Sequence, residues 1–295
     1  MSRRALFLFN PASNGGRAAR YEDELREKIP HYFVDAELIL TKACETFWNE
    51  ARDKLSGYNL IVACGGDGTV HRAGNLAANR RLPLGIVPLG SGNDFATMLQ
   101  VPKKPVRALQ LLATKPVSRV DLIKLEGDLE CWCLNTCGIG LDGLTNLYRD
   151  TYKSIFGRFA YLPAVLKAIA VAKPFKMDLN FEGEEILHQE LLMVTACNGF
   201  REGGKFLVAH QASCKDGRMN VLRIHPLHPI ARLPVLPQFL LRTPSYLKSI
   251  DLNLCAKLSV SCSDSLPVHV DGEYSGTTIN NLEMTIKKGR LEIIF

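Results

Sequence analysis

Twice in the first hundred residues an apolar run stops at glycines and an acid. Ile61–Thr69 reads IVACGGDGT, and Leu84–Pro88 leads into Leu89–Asp94, LGSGND. A third junction of similar composition, Asn10–Gly16 (NPASNGG), follows the apolar stretch Ala5–Phe9. An all-apolar strand that breaks at glycine and turns into a helix is the joint of a βαβ unit, since glycine lets the backbone turn where a Cβ would obstruct. Three such joints predict a parallel sheet with helices on both faces, and ligands of such sheets gather at the carboxyl ends of the strands. The remaining pattern agrees. Helices are expected over Gly15–Lys28, Glu45–Leu55, Thr69–Asn79 and Val106–Ala113, and extended segments over Phe33–Leu40 and Asn59–Ala63.

From about Val117 the pattern changes. Short strands dominate, from VSRVDLIKL through FKMDLNFEG and RMNVLRI to LEIIF. Turn signals such as Gly127-Asp128, Glu182-Gly183, Asp216-Gly217 and Lys288-Gly289 separate many of them. That predicts an antiparallel sandwich or barrel. Two helical insertions interrupt it, one near Ser154–Ala172 and one over 228–249, apolar and basic with four prolines.

Composition narrows the function classes. With 46% hydrophobic and 22% charged residues the chain is a folded one. The net charge of +6 suits an anionic ligand or surface, but no dense basic run with aromatics marks a nucleic-acid binder. Nine scattered cysteines give no disulfide framework and predict a reducing, cytoplasmic setting. Cys131, Cys133 and Cys137 cluster without a neighbouring histidine, so they read as buried sheet residues rather than metal ligands. The apolar run Ala5–Phe9 is too short for a signal peptide, and no run of about eighteen apolar residues predicts a membrane span. The oligomeric state is left open, a homodimer included.

The loops carry the chemistry. Glycine loops at helix N-termini bring backbone N–H groups close to an anion. Gly65-Gly66-Asp67-Gly68-Thr69 lacks the Lys-Ser/Thr of a Walker loop, and His71 stands where a dinucleotide fingerprint needs glycine. Asp67 reads two ways, as a cap on its own helix or as a carboxylate linked to phosphate through a cation. In the second loop Ser91 and Asn93 can hydrogen-bond phosphate or ribose oxygens and Asp94 can cap. Gly138–Gly143 (GIGLDG) formally matches GxGxxG but lacks the later acid, so a Rossmann site there is rejected. Asp271-Gly272-Glu273 reads as a hairpin turn.

Taken in order, NPAS (10–13), GGDGT (65–69), GSGND (90–94), GIGLD (138–142), NGFREGG (198–204), KDG (215–217) and DGE (271–273) resemble the bacterial diacylglycerol-kinase-like lipid kinases, related to sphingosine kinases and more distantly to NAD kinases. The resemblance spans nearly the whole chain. It implies an α/β/α nucleotide domain over 1–125, completed by a final strand near 290–295, and a β-sandwich lipid-substrate domain over 126–289. It implies ATP and Mg²⁺ as cofactors, a lipid hydroxyl as acceptor, and visits to the inner face of the cytoplasmic membrane. Residue by residue, Asn10 and Ser13 match the first loop and Thr41 a threonine lining the nucleotide site. Gly65, Gly66, Gly68 and Thr69 match phosphate contacts, with Asp67 the acid that works with Mg²⁺. Gly90, Ser91, Gly92, Asn93 and Asp94 match the second loop. Glu273 matches the acid of DGE, the general base. Asp216 matches an acid that helps hold a structural Mg²⁺, and Asp121 lies on the matching DLI strand.

Departures touch the lipid rather than the kinase. Arg72 stands where family members often have an acid, and His210 where proline is usual. Diacylglycerol leads as the acceptor, with phosphatidylglycerol and sphingoid bases as alternatives. NAD kinase is disfavoured because Asn93 is followed by Asp94, not by glutamate. In the insertion, Leu233, Val235, Leu236, Phe239, Leu240 and Leu241, with Arg232, Arg242 and Lys248, either rest on an anionic membrane or pack on the sandwich.

Overall fold

The computed structural model describes residues 3–42, 44–156 and 160–295. They form two compact units, Met1–Val120 with Gly289–Phe295, and Asp121–Lys288.

In the first unit β1 (Arg4–Phe9), β2 (Asp35–Leu40), β3 (Leu60–Gly65) and β4 (Leu84–Pro88) lie in the order β2-β1-β3-β4, all parallel. The end of β14 (Glu273–Ile294) joins beside β4, also parallel, with Ile293 opposite Leu84. Ala5–Phe9 and Leu60–Cys64 are buried without a break, because helices cover both faces. Each large side chain so buried contributes about 1.5–3 kcal/mol. The helices are α1 (Glu22–Tyr32), α2 (Glu45–Lys54), α3 (Asp67–Arg80), α4 (Asp94–Met98) and α5 (Pro105–Thr114). The helix expected from Gly15 starts only at Glu22, after a 3-10 turn over Arg17–Tyr21. Gly15 and Gly16 both take positive φ, 65° and 83°, which no α-helix accepts. Three acids, Glu22, Asp23 and Glu24, then favour the helix start. Similarly, α3 begins two residues earlier than expected, at Asp67.

The second unit is antiparallel. Its strands are β5 (Val117–Gly127), which enters from the first unit, β6 (Cys131–Cys133), β7 (Thr136–Gly140), β8 (Phe175–Phe181), β9 (Leu187–Leu191), β10 (Met193–Cys197), β11 (Met219–Ile224), β12 (Ile250–Cys255), β13 (Lys257–Val270) and β14. One path runs β12-β11-β10-β7-β13. Residues Leu258–Cys262 of β13 pair with β8, and Val268–Val270 pair with β7. Register shifts lie between these halves, so one strand serves two sheets. Ile123, Leu179, Val194, Val221, Val260 and Met284 belong to the core they enclose. Cys133, Cys137 and Cys262 sit in it too, as the cysteine reading expects.

Two expectations change here. The helix expected near Ser154–Ala172 is two helices, α6 (Leu141–Phe156) and α7 (Tyr161–Val171), with 157–159 outside the described residues. The 228–249 insertion holds only the one-turn α8 (Pro229–Arg232) and a 3-10 turn over Leu236–Leu240, since its prolines remove helix donors.

Candidate active site

The three glycine junctions meet at the carboxyl ends of β1, β3 and β4. The Asn10 N–H donates to Cys64 O (2.9 Å), and the Leu89 N–H to Gly65 O (2.8 Å). Asn10 Nδ2 donates to Thr69 Oγ1 (3.0 Å), while its Oδ1 accepts the Ala12 N–H. Ser13 Oγ accepts the Gly66 N–H (3.1 Å). Thr41 follows β2 and donates its N–H to Phe9 O (2.7 Å), which brings it to the same edge. The first and second loops touch backbone to backbone. A Cβ on Gly90 would lie 2.4 Å from Gly66 Cα, and one on Gly65 would lie 2.4 Å from Thr69 Oγ1. Only glycine fits at either place.

Asp67 is what ties the loops. Its Oδ2 accepts the Asn93 N–H (2.8 Å) and its Oδ1 the Asp94 N–H (2.7 Å). It therefore does cap a helix, but α4, which Asn93 opens with a left-handed φ of 53°. No side-chain cap sits on α3 itself, so the expected local cap is corrected. Asn93 is held further, its Oδ1 accepting the Gly90 N–H (2.8 Å) and its Nδ2 donating to Gly90 O (2.9 Å). Gly68 and Thr69 lie in the first turn of α3, where helix N–H groups lack intrahelical partners and the dipole favours an anion. Ser91 is exposed on the rim, with Gly92 beside it. This edge fits a nucleotide phosphate, and each Asp67 oxygen keeps a lone pair with which the carboxylate could reach a Mg²⁺ on that phosphate. Arg72 points elsewhere. It pairs with Glu45 (3.1 Å) and covers Trp48, bridging α3 to α2.

In the second unit Asp271 and Gly272 both take positive φ (54° and 79°), and Val270 pairs with Glu273. That is the two-residue hairpin turn expected from the sequence. Asp271 is buried and accepts the Leu134 N–H (3.1 Å) and Asn135 N–H (2.6 Å), which anchors the turn to the end of β6. Glu273, the first residue of β14, is exposed, and its Oε2 lies 3.3 Å from Arg149 Nη2 of α6. Asp121 is buried and accepts the Gly217 N–H (2.7 Å) of the KDG turn. Asp216 is exposed in that turn and accepts the Arg218 N–H (3.0 Å). The two acids thus meet at one turn, each closing it from its own side.

Sequence reasoning missed a buried cluster. Asp142 from α6, Glu202 and His269 from β13 converge, with His269 Nε2 3.0 Å from Asp142 Oδ2 and 3.2 Å from Glu202 Oε1. Thr195 Oγ1 donates to Asp142 Oδ2 (2.8 Å). Gly138 makes room, since a Cβ there would lie 2.2 Å from Asp142 Oδ2. Burial pulls the imidazole pKa down, but Glu202 and Asp142 outweigh it and hold it up at about 9. Burial likewise opposes ionisation of Asp142, yet His269 holds its carboxyl below the ordinary range. Asp142 and Glu202 also line an apolar pocket with Tyr161, Val165, Ile169 and Leu236. The signal was present, because GIGLD and NGFREGG each carry an acid beyond their glycines, but the partners lie about sixty residues apart.

Comparison with known proteins bears on this geometry. Residues 4–125 match the diacylglycerol kinase catalytic domain, and residues 135–295 match the YegS C-terminal NAD kinase beta sandwich-like domain. A diacylglycerol kinase of Mycobacterium tuberculosis (strain CDC 1551 / Oshkosh) is 25% identical, over 91% of this chain and 88% of its own. One of Bacillus subtilis (strain 168) is 24% identical, over 93% and 91%. A Xanthomonas euvesicatoria pv. vesicatoria protein named "Probable lipid kinase YegS-like" is 32% identical over 56% of each chain. A solved structure described as a diacylglycerol kinase from Bacillus anthracis str. Sterne superposes with a TM-score of 0.74 at 21% identity, over 99% of this chain and 97% of that one. It shows the same fold.

Proposed function

The chain belongs to the diacylglycerol kinase and YegS-like lipid kinases, and on that premise we propose that it transfers the γ-phosphoryl group of ATP, with Mg²⁺, to a lipid hydroxyl. Diacylglycerol is the leading acceptor, which would give phosphatidic acid and ADP. The observation that carries the reading is the pair of glycine loops locked together by Asp67 at the carboxyl edge of a parallel sheet. Asn10, Ser13, Gly66, Gly68 and Thr69 hold the nucleotide phosphates, and Asn93 keeps the second loop in place. Bound Mg²⁺ supplies charge neutralisation between phosphate oxygens, with Asp67 as its protein partner. Glu273 takes the proton of the attacking hydroxyl as the O–P bond forms, and Arg149 steadies that carboxylate. Asp216 and Asp121 fix the KDG turn, and a structural Mg²⁺ on Asp216 stays part of this reading.

The test is incubation with γ-labelled ATP and a total lipid extract, followed by separation of the products. Label in phosphatidic acid supports the leading acceptor. Label in another phospholipid or in a sphingoid-base phosphate moves the acceptor and keeps the chemistry. Labelled NADP from added NAD, with no labelled lipid, would overturn the proposal.

A further inference from the structure

Acids are spread along this chain at roughly one residue in ten, 30 in 295, yet two stretches have none. The 27 residues between Asp150 and Asp178 and the 34 between Asp216 and Asp251 hold ten Lys and Arg and no Asp or Glu. The fold brings these stretches together. Arg232 of α8 is buried and donates from Nη1 to Ile169 O (2.7 Å) and Ala172 O (2.9 Å), which bolts the insertion to the C-terminal end of α7. Each segment then shows two apolar faces. Inward, Val165 and Ile169 of α7 and Val235 and Leu236 of the insertion line the pocket that ends at Asp142 and Glu202. Outward, Leu162 and Leu166 of α7, and Ile230, Leu233, Leu240 and Leu241 of the insertion, are exposed, Leu241 at 83% and Ile230 at 72%. Lys167, Arg242 and Lys248 are exposed among them. Single exposed apolar residues are ordinary, but a grouped set beside an apolar pocket marks a contact surface. A protein partner would be expected to meet a surface of mixed charge. A surface of one sign, with protruding leucines, matches an anionic bilayer.

We propose that this acid-free face of the second unit docks on an anionic bilayer, and that the pocket behind it receives a hydrocarbon chain of the acceptor lipid as the chain leaves the bilayer. The docking half stands on charge and exposure alone; the pocket half rests on the lipid-kinase reading. The full-length protein is sedimented with vesicles of phosphatidylcholine alone or with one part in four phosphatidylglycerol. Wild type should prefer the anionic vesicles. Ile230→Ser with Leu241→Ser should lower partition at least ten-fold. Lys167→Glu with Arg242→Glu should lower it more than twenty-fold on anionic vesicles, at roughly five-fold per lost cation near the surface. Melting temperatures should stay within about two degrees, since none of these side chains is buried. Turnover of a short-chain, water-soluble diacylglycerol should be unchanged in both, while turnover of vesicle-borne diacylglycerol falls with partition. Ile169→Trp, which fills the pocket, should keep partition and lower long-chain turnover more than short-chain turnover.

Unchanged partition of both doubles overturns docking, as does equal binding of wild type to the two vesicle types. A dimer in analytical ultracentrifugation that the apolar double makes monomeric assigns the face to a second copy instead. Equal loss on both chain lengths in Ile169→Trp overturns the pocket assignment. If no lipid is phosphorylated while partition responds as stated, the kinase reading fails and docking stands.

Discussion

Replacing Asp67 separates two roles that a kinase acid can play. The carboxylate accepts two backbone N–H groups, at 2.8 and 2.7 Å, from the residues that open α4. Hydrogen bonds to a charged group contribute about 1.5–3 kcal/mol each, and the low end applies because Asp67 and Asn93 are only half-buried. Asp67→Ala should therefore cost the first unit about 3 kcal/mol, and Asp67→Asn about half of that, since one oxygen remains to accept. The chain has two tryptophans, Trp48 in the first unit and Trp132 in the second, both buried. In a Trp132→Phe background, urea unfolding followed by fluorescence reads the first unit by itself. Because the carboxylate shapes the second loop, ADP binding in EDTA should also weaken, by ten-fold or more. A midpoint within about 0.5 kcal/mol of the parent, together with unchanged ADP affinity in EDTA, would refute the reasoning and leave Asp67 acting only through metal.

Glu273→Gln should leave nucleotide affinity within two-fold and lower phosphoryl transfer by a factor of roughly 10²–10⁴; near-normal turnover in a steady-state assay removes Glu273 as the base. Gly90→Ala places a Cβ 2.4 Å from backbone of Gly66 and should cost about 1–3 kcal/mol and abolish nucleotide binding by calorimetry. Gly272→Ala meets nothing within 4 Å and should cost only about 1–2 kcal/mol through its φ of 79°, with nucleotide binding intact. For His269 the folded pKa of about 9 lies above the unfolded value of about 6.5, so its stabilisation is complete below pH 6.5 and is lost as pH rises towards 9. Urea midpoints of wild type should fall across that window relative to those of His269→Gln, and parallel pH curves for the two would contradict the ion-pair account.

The first unit was largely legible because its signals are local. A five-residue apolar run followed by glycines needs no partner to be read as a buried strand, and Leu84–Pro88 is the strand the sequence predicts. The short helix α4 escaped because five residues hold little more than one helical turn. Asp67 was recognised as special from its loop, yet its partners lie 26 and 27 residues away, and no periodicity reports that. The same holds for Asp142, Glu202 and His269, which meet only through the antiparallel pairing of β7, β10 and β13. In the insertion the sequence offered membrane or core as alternatives for one set of leucines. The fold divides them, burying Phe239 and turning Leu236 to the pocket while Leu233, Leu240 and Leu241 face outward. Prolines had hidden that division by erasing the helical period. Domain extent follows contact rather than composition, and the units part between Val120 and Asp121, within β5.

The long strand β14 also sets a clock. The sheet of the first unit is completed at β4 by residues that follow the whole of Asp121–Lys288, 168 residues of another unit. At about 5–20 residues per second a ribosome takes roughly 10–30 s to cross that span. Throughout it β4 waits with a bare edge, and a waiting edge is an invitation to the wrong strand. The nucleotide half is begun first but finished only after the second unit has been made, so a nascent chain arrested before Gly289 should hold a formed β3–Asp67 loop on an unsealed sheet.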